Sequence, residues 1–468
     1  MPRKKKETNS VNKVLTEQKP QTIKMEKSEI VPANIAYVGI TGDFIHPGIV
    51  NIISVAARQA PVTVGLLTDK AIANHKRLPY LNYEQRKKTI ESIKGVAEVI
   101  PQETWSYVSN IQKLHPRYFV HGDDWKGTQI RTDVIKTLSE YGGILIEIPY
   151  TKGISSSELN KSITSVGTTP DIRRSMLKRL IASKDVLRVM ECHSGLCGLI
   201  IENAEWKDET TGMLRIYDAM WCSSLTDSTV KGKPDIEAVD LTTRMNELTN
   251  ILECTTKPII YDADTGGKNE HFAFTVRTLE RNGVSACIIE DKCGLKQNSL
   301  FGTAAKQEQL PISDFCDKIR AGKMAQVSED FMIFARCESL IAGKGIEDAL
   351  ERCFAYVEAG ADGIMIHSKE RDGKEVFDFM HEFRKKFPSV PIVVVPTTYN
   401  TFTATELHNH GATIVIHANH MLRAAYPAMK KVAETILEND NSYCVNDMCM
   451  PIKEILNLIP GTAATVKQ

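Results

Sequence analysis

The chain has 468 residues, 42% of them apolar and 25% charged, and its 58 Lys and Arg balance 58 Asp and Glu. That length exceeds one ordinary domain and suits two, while zero net charge leaves no electrostatic footprint for nucleic acid or an anionic membrane. No apolar run nears the roughly 20 residues that cross a bilayer, and the 11 cysteines form neither Cys-x-x-Cys pairs nor zinc spacings, which fits a reducing, cytoplasmic setting.

Residues 1–33 are rich in Lys, Glu, Gln, Thr and Ser and poor in large apolar groups. Such a segment buries too little surface to offset ordering entropy, so it reads as a disordered tail. Its acids Glu7, Glu17, Glu26 and Glu29 argue against a transit peptide. From 34 to 165, short apolar runs alternate with amphipathic stretches. Strands are expected at 35–40, 62–67, 118–121 and 144–148, and a helix around 83–93. This alternation predicts a parallel sheet with helices on both faces, a Rossmann-like α/β layer. Residues 162–170 carry Ser, Thr, Gly and Pro and read as a linker.

The alternation resumes at 172 and runs to about 440, with 441–468 as a C-terminal extension. Eight strands are expected, at 199–202, 214–218, 259–261, 286–289, 331–334, 364–366, 392–395 and 413–416. Eight strand–helix units in about 270 residues match a (β/α)8 TIM-type barrel, although an open doubly wound sheet has the same local signature. Most of these runs end in a polar group: Asp262, Glu290, Arg336, His367, Thr397, His417. In a barrel such ends build the active site. Cys192, Cys197 and Cys287 sit inside apolar runs and read as small hydrophobes.

Asp262 and Asp264 are two apart at a strand end, so both are expected on one face. Crowded carboxylates repel unless a cation stands between them. Mg²⁺, keeping several waters, resolves the conflict, and Glu290 can join its shell. A polar turn capping the next helix is the bland alternative. After Glu290, the segment Asp-Lys-Cys-Gly-Leu-Lys-Gln-Asn-Ser299 combines Gly with two lysines, an amide and a hydroxyl, as a mobile lid over an anion requires. Arg336 at a barrel mouth needs an anion, either substrate or a structural partner such as Glu338. His367 is either a substrate contact or a satisfied core residue.

Trp221-Cys-Ser-Ser224, Asp262-Ala-Asp-Thr-Gly266, the lid Glu290-Asp-Lys-x4-Gln-Asn-Ser299, Ala335-Arg336, His367-Ser-Lys369, Val395-Pro-Thr397 and Ala418-Asn-His-x-Leu-Arg423 resemble the phosphoenolpyruvate mutases of the isocitrate lyase superfamily. The lid lacks the Lys-Lys-Cys-Gly-His run of the related lyases. The resemblance implies Mg²⁺ bound most directly by Asp262, with Asp264 and Glu290 acting mainly through water. It implies that Trp221, Ser223, Ser224, Leu225 and Ser299 line the substrate pocket, and that Arg336 and His367 hold the phosphoryl group. Lys296 and Asn298 would complete the site from the lid, and Asp235 matches the family's essential aspartate. Cys222 and Ser224 stand where the family usually has glycine. The implied reaction interconverts phosphoenolpyruvate and phosphonopyruvate. Phosphonopyruvate hydrolase is the nearest alternative, and Asn298 speaks for the mutase. A carbon–carbon lyase comes third, and a non-catalytic scaffold is the least favoured reading. Related barrels associate, which implies a homo-oligomer.

Residues 34–165 resemble cytidylyltransferases, through Asp43-Phe-Ile-His46-Pro-Gly48, His121-Gly-Asp-Asp-Trp125 and Gly153-Ile-Ser-Ser-Ser157. The resemblance implies CTP as a possible ligand, with His46, Gly48, Lys76, Asp123, Ser155 and Ser156 as candidate nucleotide contacts and Arg86 as a further phosphate contact. Ile49 replaces the second histidine of the family's His-x-Gly-His motif, and Tyr150 replaces an arginine. Either the domain transfers cytidylyl groups to a phosphonate, making the chain bifunctional, or it has reduced or lost activity.

Overall fold

The computed structural model describes residues 21–23, 30–149, 168–208, 212–294, 296–304 and 308–459. They form two compact units, Met1–Ala71 with Leu81–Glu158, and Ile72–Tyr80 with Leu159–Gln468.

The first unit is built on six strands: β1 (Gln21–Ile23), β2 (Ala33–Ile40), β3 (Val62–Leu67), β4 (Val96–Gln102), β5 (Pro116–Gly122) and β6 (Ile144–Ile148). Their order is β1-β6-β5-β2-β3-β4, parallel except for β1 on β6. Every residue of β3 is buried, as expected of a central parallel strand covered on both faces. One face packs Ile49, Ile53 and Ala56 of the helix Pro47–Ala57, and the other packs Ile111, Val134 and Leu138. Two strands differ from the sequence reading. β4 is an edge strand whose exposed Ala97 and Glu98 break the apolar run. β1 lies inside the segment read as a disordered tail, because its backbone pairs with the edge of β6. The expected linker at 162–167 lies outside the described residues.

The second unit is a closed, all-parallel eight-stranded barrel. In chain order its strands are β7 (Leu187–Glu191), β10 (Ala219–Cys222), β11 (Ile259–Asp262), β12 (Ala286–Glu290), β15 (Met332–Cys337), β16 (Gly363–Ile366), β17 (Ile392–Val394) and β18 (Ile414–His417). Two antiparallel pairs stand outside it: β8 (Glu205–Lys207) with β9 (Leu214–Ile216), and β13 (Lys292–Cys293) with β14 (Glu308–Gln309). The barrel fold is the expected one, but its first two strands are not. Residues 199–202 belong to the helix Gly195–Asn203, which starts where the Ser194 side chain caps the Cys197 amide. Residues 214–216 pair outside the barrel as β9. The real strands β7 and β10 were hidden by Arg188 and Glu191 in one and by shortness in the other. Outward-facing side chains such as Met220, Ile259, Cys287 and Ile333 pack on the surrounding helices.

A candidate active site at the barrel mouth

Asp262 ends β11 and is buried among donors. Its Oδ2 accepts from the Ser224 amide at 3.1 Å and the Ser224 hydroxyl at 2.8 Å, and its Oδ1 accepts from the Asp264 amide at 3.1 Å. Asp264 is not on the strand. It sits in the following turn with φ +54, so the two acids converge through a left-handed turn and not through strand alternation. The turn is present, but the next helix is capped at Lys268 and not by either acid. Arg244 binds the pair from behind, donating to the Asp262 carbonyl at 2.7 Å, to Asp264 Oδ2 at 3.0 Å and to Asp227 at 2.9 Å. It also lies 4.3 Å from the Tyr261 ring centroid.

The lid supplies the second cation. Lys296 Nζ donates to Ser224 Oγ at 2.6 Å, to Asp235 Oδ1 at 2.8 Å and to Asp264 Oδ1. Asn298 Nδ2 donates to Asp235 Oδ2 at 3.0 Å, so both oxygens of Asp235 are held from the lid. On the opposite wall Arg336, near the end of β15, pairs through Nε with Glu338. Its Nη2 donates to Ser299 Oγ at 2.5 Å and lies 3.3 Å from His367 Nδ1. The structural partner expected for Arg336 is real, and it leaves the other edge of the guanidinium facing the pocket. Glu290 ends β12, 3.5 Å from both Arg336 and Lys292, and its buried Oε1 has no hydrogen-bond partner among the described residues.

These contacts set the charges. Burial pushes the Asp262 carboxyl up, but Lys296, Arg244 and Arg336 outweigh it and hold Asp262 below its ordinary value. Burial raises Asp264, with Asp262 adding to the rise against Lys296. Burial carries Glu290 up to about 7 despite Arg336 and Lys292. His367 is pushed down by burial, with Arg336 adding to the fall against Glu338.

One cavity of about 540 Å³ gathers Trp221, Ser223, Ser224, Leu225, Asp235, Asp262, Glu290, Lys296, Asn298, Ser299, Arg336 and His367. Of the expected barrel residues only Asp264 stands outside its wall, tied to it through Lys296. The Ser224 amide of the expected anion cradle is already engaged by Asp262. Among the described residues, no three His, Cys, Asp or Glu side chains converge closely enough to hold an ion together. The donor set therefore fits a hydrated hard cation on Asp262, with the orphaned Glu290 oxygen reaching it through water, and not a fully protein-coordinated ion. Sequence reading missed Arg244 and gave no role to Lys292 or Asn419, which it quoted only within motifs. Arg244 comes from the first turn of the helix Leu241–Cys254, and nothing local marks it out.

In the first unit, the sheet order reverses between β2 and β5, the point where α/β folds bind ligands. His46 and Gly48 open the helix Pro47–Ala57 after β2, and Asp123 follows β5. Ile49 is buried in the core. Arg86 is fully buried and donates to the Thr41 and Leu67 carbonyls and to Asp69, so it is a structural tie and not a phosphate contact. Lys76 is grouped with the barrel unit, lining a cavity with Lys184, Asp218 and Lys257. Ser155 and Ser156 lie outside the described residues.

The family model described as phosphoenolpyruvate phosphomutase matches residues 177–437, and one described as cytidylyltransferase-like matches residues 38–162. Phosphoenolpyruvate phosphomutase of Tetrahymena pyriformis is 34% identical over 287 residues, covering 61% of this chain and 91% of the relative. The crystal structure of phosphoenolpyruvate phosphomutase from Streptomyces platensis subsp. rosaceus superposes with TM-score 0.55 at 34% identity, covering 61% of this chain and 94% of that one. Phosphonopyruvate hydrolase in complex with oxalate and magnesium superposes with TM-score 0.52 at 29% identity, covering 62% and 95%.

Proposed function

The chain is an enzyme of the phosphoenolpyruvate phosphomutase family, and on that footing we propose that it interconverts phosphoenolpyruvate and phosphonopyruvate. The observation that carries this reading is the double hold on Asp235 by Lys296 and Asn298, which closes the lid onto the cavity shared by Asp262, Glu290 and Arg336. Phosphoryl transfer depends on positioning and charge neutralisation. Arg336 Nη2 and His367 face the phosphoryl group from one wall, with Glu338 fixing the guanidinium. Asp235, aimed from the other wall, receives or guides the group during migration. Asp262, with Asp264 and Glu290 through water, would hold Mg²⁺, which supplies a Lewis acid for the carboxylate and enolate oxygens. Lys296, Asn298 and Ser299 exclude the water that would hydrolyse the intermediate.

Phosphorus NMR of the protein with phosphonopyruvate and Mg²⁺ tests the reading. The expected product is phosphoenolpyruvate. Pyruvate and free phosphate would instead assign the hydrolase activity of the 29%-identical structural neighbour.

For the first unit we favour reduced or absent cytidylyl transfer. His46 opens the helix, but Ile49, its missing partner imidazole, is committed to the core. Full-length protein with CTP and 2-aminoethylphosphonate is expected to release no pyrophosphate above background; rapid release would make the chain bifunctional. A homo-oligomer is supported by the helix His420–Asn439, which has no buried residue and exposes Tyr426, Met429 and Leu437. Light scattering at a monomer mass would remove that proposal. Its 11 free cysteines suit a reducing, cytoplasmic compartment, and among the described residues no helix is long and apolar enough to cross a membrane.

A further inference from the structure

Behind the barrel mouth lies a second cluster that phosphoryl migration does not use. Glu191 ends β7, and its Oε1 lies 2.5 Å from His193 Nδ1. His193 Nε2 and Nδ1 lie 3.4 and 3.6 Å from Cys197 Sγ, so the sulfur sits against the ring and not in line with one nitrogen. Glu191 is fixed from its other oxygen, which accepts the Met421 and Leu422 amides at 3.1 and 3.3 Å. Cys197 stands in the first turn of the helix Gly195–Asn203, where the helix start favours a thiolate over a thiol. The acid–imidazole–thiol order is the arrangement that activates a cysteine nucleophile.

The local charges agree with the geometry. Burial opposes the imidazolium, but Cys197 and Glu191 outweigh it and raise His193 to about 10. Burial also opposes the thiolate, yet His193 and Ser194 hold Cys197 below its ordinary value. Its neighbours differ: burial raises Cys192, and it carries Cys222 up to about 12. A small cavity walled by Cys192, His193, Cys222, Arg244, Glu247 and Leu248 reaches His193, and Cys197, 6% exposed, lies behind that imidazole.

We propose that Cys197 is a thiolate paired with the His193 imidazolium and oriented through Glu191, and that it is a modification site for hydrogen peroxide and small alkylating electrophiles. In the oxidation, the Cys197 sulfur attacks one peroxide oxygen, forming the S–O bond as the O–O bond breaks. The departing hydroxide takes the His193 proton and leaves as water. Sulfur is oxidised by two electrons to a sulfenic acid, peroxide is reduced, and His193 ends neutral.

Native full-length protein is labelled with iodoacetamide across a pH series and mapped by mass spectrometry. Cys197 is expected to keep more of its rate on acidification than exposed Cys449 does. Limiting peroxide followed by dimedone is expected to mark Cys197 ahead of the other cysteines. His193→Gln should return Cys197 to the ordinary pH slope, and Glu191→Gln should do so in part. A wild-type Cys197 rate that falls as steeply as that of Cys449, or a dimedone adduct on Cys449 but not on Cys197, overturns the proposal without recourse to any variant.

Discussion

Asn298→Ala removes the lid's neutral contact to Asp235. Asn298 Nδ2 lies 3.0 Å from Asp235 Oδ2, and its Oδ1 accepts from the Leu300 amide at 3.1 Å. A hydrogen bond to a charged acceptor is worth about 1.5–3 kcal/mol, and each 1.36 kcal/mol is tenfold in rate. If the contact matters only with the lid closed, kcat should fall about 10- to 150-fold, and no further, because Lys296 still holds Asp235 at 2.8 Å. The residue is only half-buried, so unfolding free energy should change by no more than about 0.5 kcal/mol. Initial rates of phosphoenolpyruvate formation from phosphonopyruvate, resolved into kcat and KM, make the measurement. Asn298→Asp should do more harm, since a carboxylate would then face Asp235. A kcat within twofold of wild type, or activity lost in step with stability, would refute the role given to this contact.

Arg336→Ala strips the cation from buried Glu338 and Glu290, so denaturant titration should show a loss of about 3–5 kcal/mol with activity gone in the folded fraction; unchanged stability would contradict the buried pairing. Glu202, buried and 2.6 Å from Arg77, is carried up by burial but held by Arg77 and Lys257 at about 2 against an ordinary 4.5. Its stabilisation, about 3 kcal/mol, is complete above about pH 4.5 and is lost as pH falls toward 2. The unfolding free energy of wild type minus Glu202→Gln should therefore shrink on acidification over that range, and a flat difference would remove the assignment. Chelating divalent ions with EDTA should raise the calorimetric Kd for phosphonopyruvate by over about 100-fold, that is by roughly 3 kcal/mol or more; unchanged binding would separate the substrate from the metal.

The sequence makes the catalytic side of each strand legible more readily than the strands themselves. Asp262, Glu290 and Arg336 stand out because each interrupts an apolar run at its end, where an unpartnered charge would be costly. The apolar run 199–201, closed by Glu202, was equally conspicuous but misleading: three apolar residues fit a helical turn as well as a strand, and the Ser194 cap decides for the helix. β7 escaped notice because Glu191, its inward-facing end, serves the His193 cluster and not the expected site. Arg244, and the carboxylate partners of the lid residue Lys292, could not be read at all. Their value lies in which carboxylates the fold sets beside them, and chain spacing carries no trace of that. Cys197 reads as a small hydrophobe until His193 is seen 3.4 Å away.

The charge count of the pocket explains why a cation belongs there. Asp227, Asp235, Asp262, Asp264, Glu290 and Glu338 face Lys231, Arg244, Lys292, Lys296 and Arg336, so six carboxylates meet five bases. Burial raises both Asp264 and Glu290, the latter to about 7, and so eases the imbalance. A substrate carrying both a carboxylate and a phosphoryl group adds negative charge to a pocket that has none to spare, and in a buried site such repulsion is weakly screened. Protonating Glu290 answers one charge at most. The lid lysine is already spent on Asp235 and Asp264, and Arg336 is half spent on Glu338. On the proposed function, a divalent ion accompanying the substrate would supply the missing charge, and Glu290 Oε1, without a hydrogen-bond partner among the described residues, would receive its hydration shell.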